Sequence, residues 1–438
     1  MMHLFSLKVL PPLCGPRTSG ATPDMTKLTH LGRLCFLHIP KTAGTSLRMW
    51  LEEMFDVAAC CPHYHQYELE QLNKNELATY DFFSGHFGWA IAKKLPSSHV
   101  ITFLRDPADR TISAMRYLRT FTPEQDRAYR DRTWVKGWVL DLLGSVSNEE
   151  LFAMPRFVND GNEQTRQLCS GDTVTLGHDE LRAAIDNLYS MDVFGLVEDM
   201  ERSVLLLCDA LGLPARSMSI RANVTAGSDA SHKPSERELQ AASGANVYDG
   251  ELYRTAERRL NERWLHLLAR YGLVDHADGR ARLIEQINAD FRLIERGVER
   301  FSALSVAPSR GMIADGWQGR FFYNPIQRWI RWSQTRRPCL WLPIDRSQRR
   351  DLRVEIAYTS DTIVRHGVAI EIDGKSVQTD RSYEIWPEDQ SHHLVLSASI
   401  PPCAASPQYT EVAFRFPLIA PERSSLALSR IAMMEGAN

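Results

Sequence analysis

No stretch of this 438-residue chain stays apolar long enough to cross a bilayer; the best run, in "MMHLFSLKVLPPLCGPRTSG", is interrupted by Lys8 and stopped by Pro11 and Pro12. The same run lacks the basic start and sustained apolar core of a secretory signal, so residues 1–30 read as a disordered leader, with Met25 an alternative start. Net charge is also small, −3 with 24% charged residues, which excludes a broadly nucleic-acid-coating protein and leaves any anionic ligand to be caught by local groups. Cysteine is sparse. The eight residues Cys14, Cys35, Cys60, Cys61, Cys169, Cys208, Cys339 and Cys403 are scattered, and Cys35, Cys169 and Cys208 sit inside apolar runs, which suits reduced thiols in a reducing compartment better than a disulfide framework. Internal repeats and low-complexity tracts are absent too.

What is there is an alternation of short apolar runs and longer amphipathic ones over residues 31–275, the pattern of an α/β domain. "RLCFLHI", "YDFFSGH", "SHVITFLRD" and "MDVFGLVED" are expected strands. "TSLRMWLEEMF" places Leu47, Trp50, Leu51, Met54 and Phe55 at helical spacing. "MERSVLLLCDALGLP" describes a buried helix, and a third helix begins near a capping Asp249 and stops at Gly272. Residues 276–302 carry Leu283, Ile287, Phe291, Ile294, Val298 and Phe301 at alternating spacings of three and four, predicting a linking helix, with a homodimer seam along it as the alternative. Over 303–438 short alternating runs such as "RDLRVEIAY", "HHLVLSASI" and "YTEVAFRF" predict a separate antiparallel β-sandwich.

The chemistry concentrates at strand ends. "FLHIPKTAGTS" passes from strand to helix through a loop like that of the nucleotide triphosphatases, G-x-x-x-x-G-K-[ST], but the first glycine is Ile39 and the lysine has moved forward to Lys41. Backbone N–H groups of Thr42, Ala43, Gly44, Thr45 and Ser46 would still converge on an anion at a helix start, which suits a 5′-phosphate carrying one further group and no metal. "VITFLRDPADRTISAMRYLR" delivers Arg105 at the end of a strand, with Asp106 and Pro107 opening a helix and Ser113 two turns along it; a guanidinium and a hydroxyl make a second anion site. Arg110, Arg116 and Arg119 read as surface or helix-pair charges rather than ligands. "DFFSGHFGWA" puts His86 at a third strand end, either as a structural imidazole or as a general base.

These three blocks, in this order, resemble the sulfotransferases that use 3′-phosphoadenosine-5′-phosphosulfate (PAPS), in the version found in heparan sulfate 2-O-, uronyl 2-O- and related bacterial carbohydrate enzymes. The resemblance covers about residues 33–273. It implies a P-loop-like parallel sheet flanked by helices, and a PAPS-dependent carbohydrate O-sulfotransferase in which Lys41 and His86 are catalytic. Lys41, Thr42, Ala43, Gly44, Thr45 and Ser46 would hold the phosphosulfate, and Arg105 and Ser113 the 3′-phosphate. Some relatives carry a further histidine two residues before the base, where this chain has Ser84. "GNEQTRQLCSG" and "VFGLVEDMERS" resemble the family's middle blocks, making Asn162, Gln164, Arg166 and Glu198 acceptor-pocket candidates, and Ser228 and Lys233, in a segment like the one that closes over the nucleotide, are candidates for binding its phosphate side. Lacking an anchor, the chain resembles soluble bacterial relatives acting on cytoplasmic carbohydrate acceptors, polysaccharide or glycolipid. A nucleotide-dependent kinase and an inactive glycan-binding relative are the rival functions. Cys60, Cys61, His63 and His65 in "CCPHYHQ" are metal-ligand types set too tightly for an ordinary zinc site. The tryptophan-rich "WQGRFFYNPIQRWIRWSQTRRPCLWLP" reads as sandwich core or as a sugar-binding face.

Overall fold

The computed structural model describes residues 28–95, 99–129, 136–169, 175–215, 233–359, 367–386, 392–416 and 426–436. Four strands, β1 (Leu34–Leu37), β2 (Phe82–Gly85), β3 (His99–Leu104) and β4 (Val193–Leu196), form a parallel sheet in the order β2-β1-β3-β4. Every residue of β1, β2 and β4 is buried, as expected for short apolar strands covered on both faces. Parallel register sets Leu37 opposite both Gly85 and Thr102, so β1, β2 and β3 all leave the sheet at one edge.

The flanking helices that bear on the site are α1 (Gly44–Glu52), α2 (Pro107–Leu118), α3 (Glu163–Cys169), α4 (Met200–Leu211), α5 (Val247–Arg270) and α6 (Ala277–Leu293). α4 ends as its sequence predicts, on Gly212 at φ 62°. α5 begins earlier than expected. Asn246 is its N-cap, and Asp249 lies inside the first turn, fully buried. α6 stops at Leu293 with Ile294 extended, so the helix expected over 276–302 is shorter. Its Leu283, Ile287 and Phe291 are buried in the core of their own chain, while Ile294, past the helix end, is exposed.

Two antiparallel sheets follow. A seven-stranded one runs from Thr379–Ile385 through His392–Ile400, Arg350–Thr359, Leu426–Glu435 and Arg328–Trp332 to Phe321–Tyr323, with Leu304–Val306 paired to Leu426–Glu435. A five-stranded one runs Lys375–Val377, Ala369–Ile372, Thr410–Arg415, Cys339–Leu342, Ile313–Asp315. They share an apolar core that includes Leu340, Ile370, Phe414, Val354, Leu396 and Leu428.

This C-terminal unit packs closely on the rest. Ile313, Cys339, Trp341, Tyr409 and Ala413 belong to the apolar core of the α/β unit, and Tyr409 stacks on Phe291 of α6 with ring centroids 4.8 Å apart. Residues 28–30, at the end of the expected leader, are packed as well: Leu28 is buried in the sandwich core, and His30 donates its backbone N–H to the Tyr409 hydroxyl at 3.2 Å.

Candidate active site

β1 ends at Leu37, and the chain must reverse before α1 opens at Gly44. It does so with two non-glycine residues in the left-handed region, Lys41 at φ 72° and Ala43 at φ 59°. Such conformations each cost of order 1–3 kcal/mol and persist where the surroundings enforce them. One enforcing contact is Thr42, wholly buried, whose hydroxyl donates to the Ile39 carbonyl at 2.9 Å. That hydroxyl closes the turn. The N-terminus of α1 has neither a side-chain cap nor an acidic residue in its first turn, so its N–H donors and positive dipole end are not offset by its own sequence. Thr45 is exposed there, while Ser46 and Ala43 are half-buried.

The glycine of this loop is required by a neighbour. A Cβ on Gly44 would lie 1.9 Å from the His38 ring. His38 is nearly buried, stacks on Phe36 at 5.4 Å, and places its Nδ1 against the Tyr64 hydroxyl. Burial drives its pKa well below the ordinary imidazole value, with His86, Arg48 and Lys41 adding to the effect, so His38 is neutral.

His86 follows β2. Gly85 allows the Tyr64 backbone to approach, since a Cβ there would meet the Tyr64 carbonyl oxygen at 2.1 Å, and the His86 N–H donates to that same oxygen at 2.8 Å. The His86 Nδ1 lies 2.8 Å from the carbonyl oxygen of His38. A carbonyl can only accept, so Nδ1 carries the proton and Nε2 the lone pair. The ring is held between His38, 4.6 Å away, and the edge-on ring of Tyr64, 4.7 Å away. Burial pulls its pKa down to about 4, partly opposed by the bond to His38, while His65 and Arg48 lower it further. At neutral pH it is an uncharged base.

Arg105 leaves β3 at the same edge. Its backbone is clamped by Gln164 of α3, which accepts from the Arg105 N–H and donates to the Arg105 carbonyl, both at 2.9 Å. One guanidinium nitrogen donates to the Lys41 carbonyl at 3.3 Å, and Nε is buried with no hydrogen-bond partner among the described residues. Lys41 and Arg105 are therefore direct neighbours at this sheet edge. The Lys41 ammonium rests 4.4 Å above the Tyr117 ring, and burial, then the Arg105 charge, lower its pKa. Asp106 caps α2 by accepting from the Asp109 N–H at 3.0 Å, Pro107 takes the first helical position, and Ser113 is half-buried on the same helix.

The middle-block candidates are engaged inside the fold. Asn162, at φ 57°, accepts from the Asp249 N–H at 3.0 Å, and Asp249 accepts from the N–H groups of Gln164 and Thr165 at 3.2 and 2.7 Å. Arg166 donates to the Asn159 and Gly161 carbonyls, and Glu198 bridges the Asp106 N–H and the Tyr253 hydroxyl. These residues brace the Arg105 junction from behind. Arg110 is buried rather than at the surface, and its electrostatic partner is Asp249 on α5. Arg119 bonds the Leu143 carbonyl and Asn148, and Arg116 is exposed. Lys233 is exposed, and Ser228 lies outside the described residues.

Sequence reasoning overlooked His38, Tyr64 and Arg48, whose guanidinium lies 4.7 Å over the Tyr64 ring. The signals were present, a histidine three residues before the loop lysine and a tyrosine between the two histidines of "PHYHQ". In that stretch the Cys60 thiol donates to the Asp56 carbonyl at 3.4 Å, and among the described residues no group of three or more His, Cys, Asp or Glu side chains is placed to hold a metal ion. Compared with models of known protein families and with curated proteins, the chain matches none.

Proposed function

We propose that this protein transfers a sulfuryl group from PAPS to a hydroxyl of a carbohydrate acceptor, a polysaccharide or glycolipid, and releases 3′,5′-ADP. The observation that carries the reading is the junction of the two candidate anion blocks: the Arg105 guanidinium touches the loop carbonyl of Lys41 and keeps a buried Nε with no partner among the described residues, while His86 presents a lone pair at the adjoining strand end. A buried guanidinium donor left unpaired is costly in a folded protein, and a phosphate oxygen would satisfy it.

When bound, PAPS supplies the sulfuryl group and the phosphate oxygen that leaves with 3′,5′-ADP. The N–H groups of residues 42–46 and the Lys41 ammonium hold negative charge at the helix start. Arg105, with Ser113, holds the 3′-phosphate. His86 Nε2 takes the proton of the acceptor hydroxyl, and its Nδ1–H stays on the His38 carbonyl, which fixes the ring and favours the imidazolium that forms. A cytoplasmic acceptor is part of the same proposal.

A transfer assay with labelled PAPS against polysaccharide and glycolipid acceptors tests it. Label should move to one acceptor class with the wild-type chain and be lost in Lys41→Ala and His86→Ala. Transfer retained by both folded variants contradicts the assigned roles, and ATP turnover in its place favours a kinase.

A further inference from the structure

We propose that the C-terminal unit is a clamp for the anion loop, with Arg320 and Arg331 as its positioning residues, rather than a detachable sugar-binding module. The clamp stands on geometry alone; only the choice of 3′,5′-ADP as a probe rests on the PAPS reading.

α1 is nine residues long, has no side-chain cap at its N-terminus, and follows a loop with two left-handed non-glycine residues. Helices this short are marginal without tertiary support, and their last carbonyls need partners from elsewhere. The C-terminal unit supplies those partners. Arg331, fully buried on the strand Arg328–Trp332, donates to the Glu53 carbonyl at 3.2 Å and pairs with the Glu53 carboxylate at 3.4 Å. Arg320 donates to the Glu52 carbonyl at 3.1 Å and also to the Phe55 carbonyl.

Backbone bonds lock the same turn. The Met312 N–H donates to the Glu53 carbonyl at 3.1 Å, and the Val57 N–H to the Ser309 carbonyl at 2.9 Å. Asp56 accepts from the Gly311 N–H and pairs with Arg310. A Cβ on Gly311 would lie 2.5 Å from the Met54 carbonyl oxygen, so the two backbones touch.

Two cations at the carbonyl end of a helix oppose its dipole as well as filling its bonds. Because α1 spans little more than two turns, fraying at Glu52 reaches the loop residues at its other end. Cys60 is drawn into the same grip, its sulfur 3.5 Å from Arg320, and the chain runs on from there to Tyr64, which holds His38 and His86. Loop and base therefore hang from one turn, and the sandwich holds that turn.

Hydrogen exchange on the full chain tests this. In Arg320→Ala and Arg331→Met, amides of residues 42–52 should exchange at least about tenfold faster, as expected for loss of one charged hydrogen bond. Arg353→Ala, which breaks a pair with Glu384 away from α1, should leave them unchanged. Binding of 3′,5′-ADP should weaken in parallel, and added guanidinium ion should restore both readouts in Arg320→Ala, which a general loss of stability would not allow. Unchanged exchange over residues 42–52 in folded Arg320→Ala overturns the clamp. If the wild-type chain binds no 3′,5′-ADP, the PAPS reading fails and the exchange results alone decide the clamp. If Arg331→Met does not fold, Arg320→Ala and its rescue carry the decision.

Discussion

Replacing Gly44 by alanine sets two effects against each other. Gly44 is the first residue of α1, and helix propensity alone favours alanine over glycine by about 1 kcal/mol. Sterics oppose this. The new methyl would sit 1.9 Å from Cδ2 and Nε2 of His38, against about 3.4 Å for an ordinary contact. The ring must retreat by well over an ångström, yet it is 4% exposed and held by Phe36, His86 and Tyr64. Overpacking of this kind costs roughly 1–3 kcal/mol. Breaking the His38–Tyr64 bond leaves a buried polar group unpaired, at roughly 1–3 kcal/mol more. The net expectation is a loss of about 1–5 kcal/mol despite the better propensity. Urea unfolding of the two chains measures it. A Gly44→Ala chain as stable as the wild type or more so would mean that His38 is not packed against the loop.

Other consequences follow from the same geometry. His86→Ala should lower kcat by about 10²–10⁴-fold while leaving 3′,5′-ADP affinity nearly unchanged, since the role proposed for the ring is that of a base rather than a phosphate ligand. The wild-type rate should stay level from neutral pH down towards 5 and fall as the pH drops through about 4, where the buried His86 takes up a proton. Stability should respond earlier than the rate: the native pKa of His86 is depressed, so its contribution is complete above the ordinary value of 6.5 and is lost progressively as the pH falls from there through about 4, and His86→Gln should flatten that slope in urea titrations. Asp249→Ala removes the acceptor for two buried N–H groups and the partner of buried Arg110, and should cost roughly 3–5 kcal/mol in denaturant unfolding.

The strands were legible because each is a short apolar run between polar turns, and the tips carrying His86 and Arg105 followed from where those runs stop. Strand order was not, since pairing Leu37 with both Gly85 and Thr102 is a long-range choice that no local pattern encodes. Asp249 read as a cap because its side chain suits that role; the fold instead uses Asn246, and Asp249 serves the buried turn at Gln164. The extent of α6 was overestimated because Ile294 continues the apolar spacing after the helix has ended. Nothing in the sequence after residue 303 hints that Arg320 and Arg331 reach across to α1, because an arginine looks alike in sequence whether it meets water or a helix end. His38 and Tyr64 were overlooked for a related reason: their partnership joins residues 26 apart.

The central claim is that one doubly phosphorylated adenosine spans the Lys41 loop and Arg105. Calorimetry with 3′,5′-ADP, 5′-AMP and ATP on the wild-type chain and on Arg105→Met tests it most directly. The wild-type chain should bind 3′,5′-ADP tightest, and Arg105→Met should weaken it by about 10–100-fold, the worth of a charged hydrogen bond to phosphate, while 5′-AMP binding barely changes. Equal weakening of both ligands, or a wild-type preference for ATP, would contradict it.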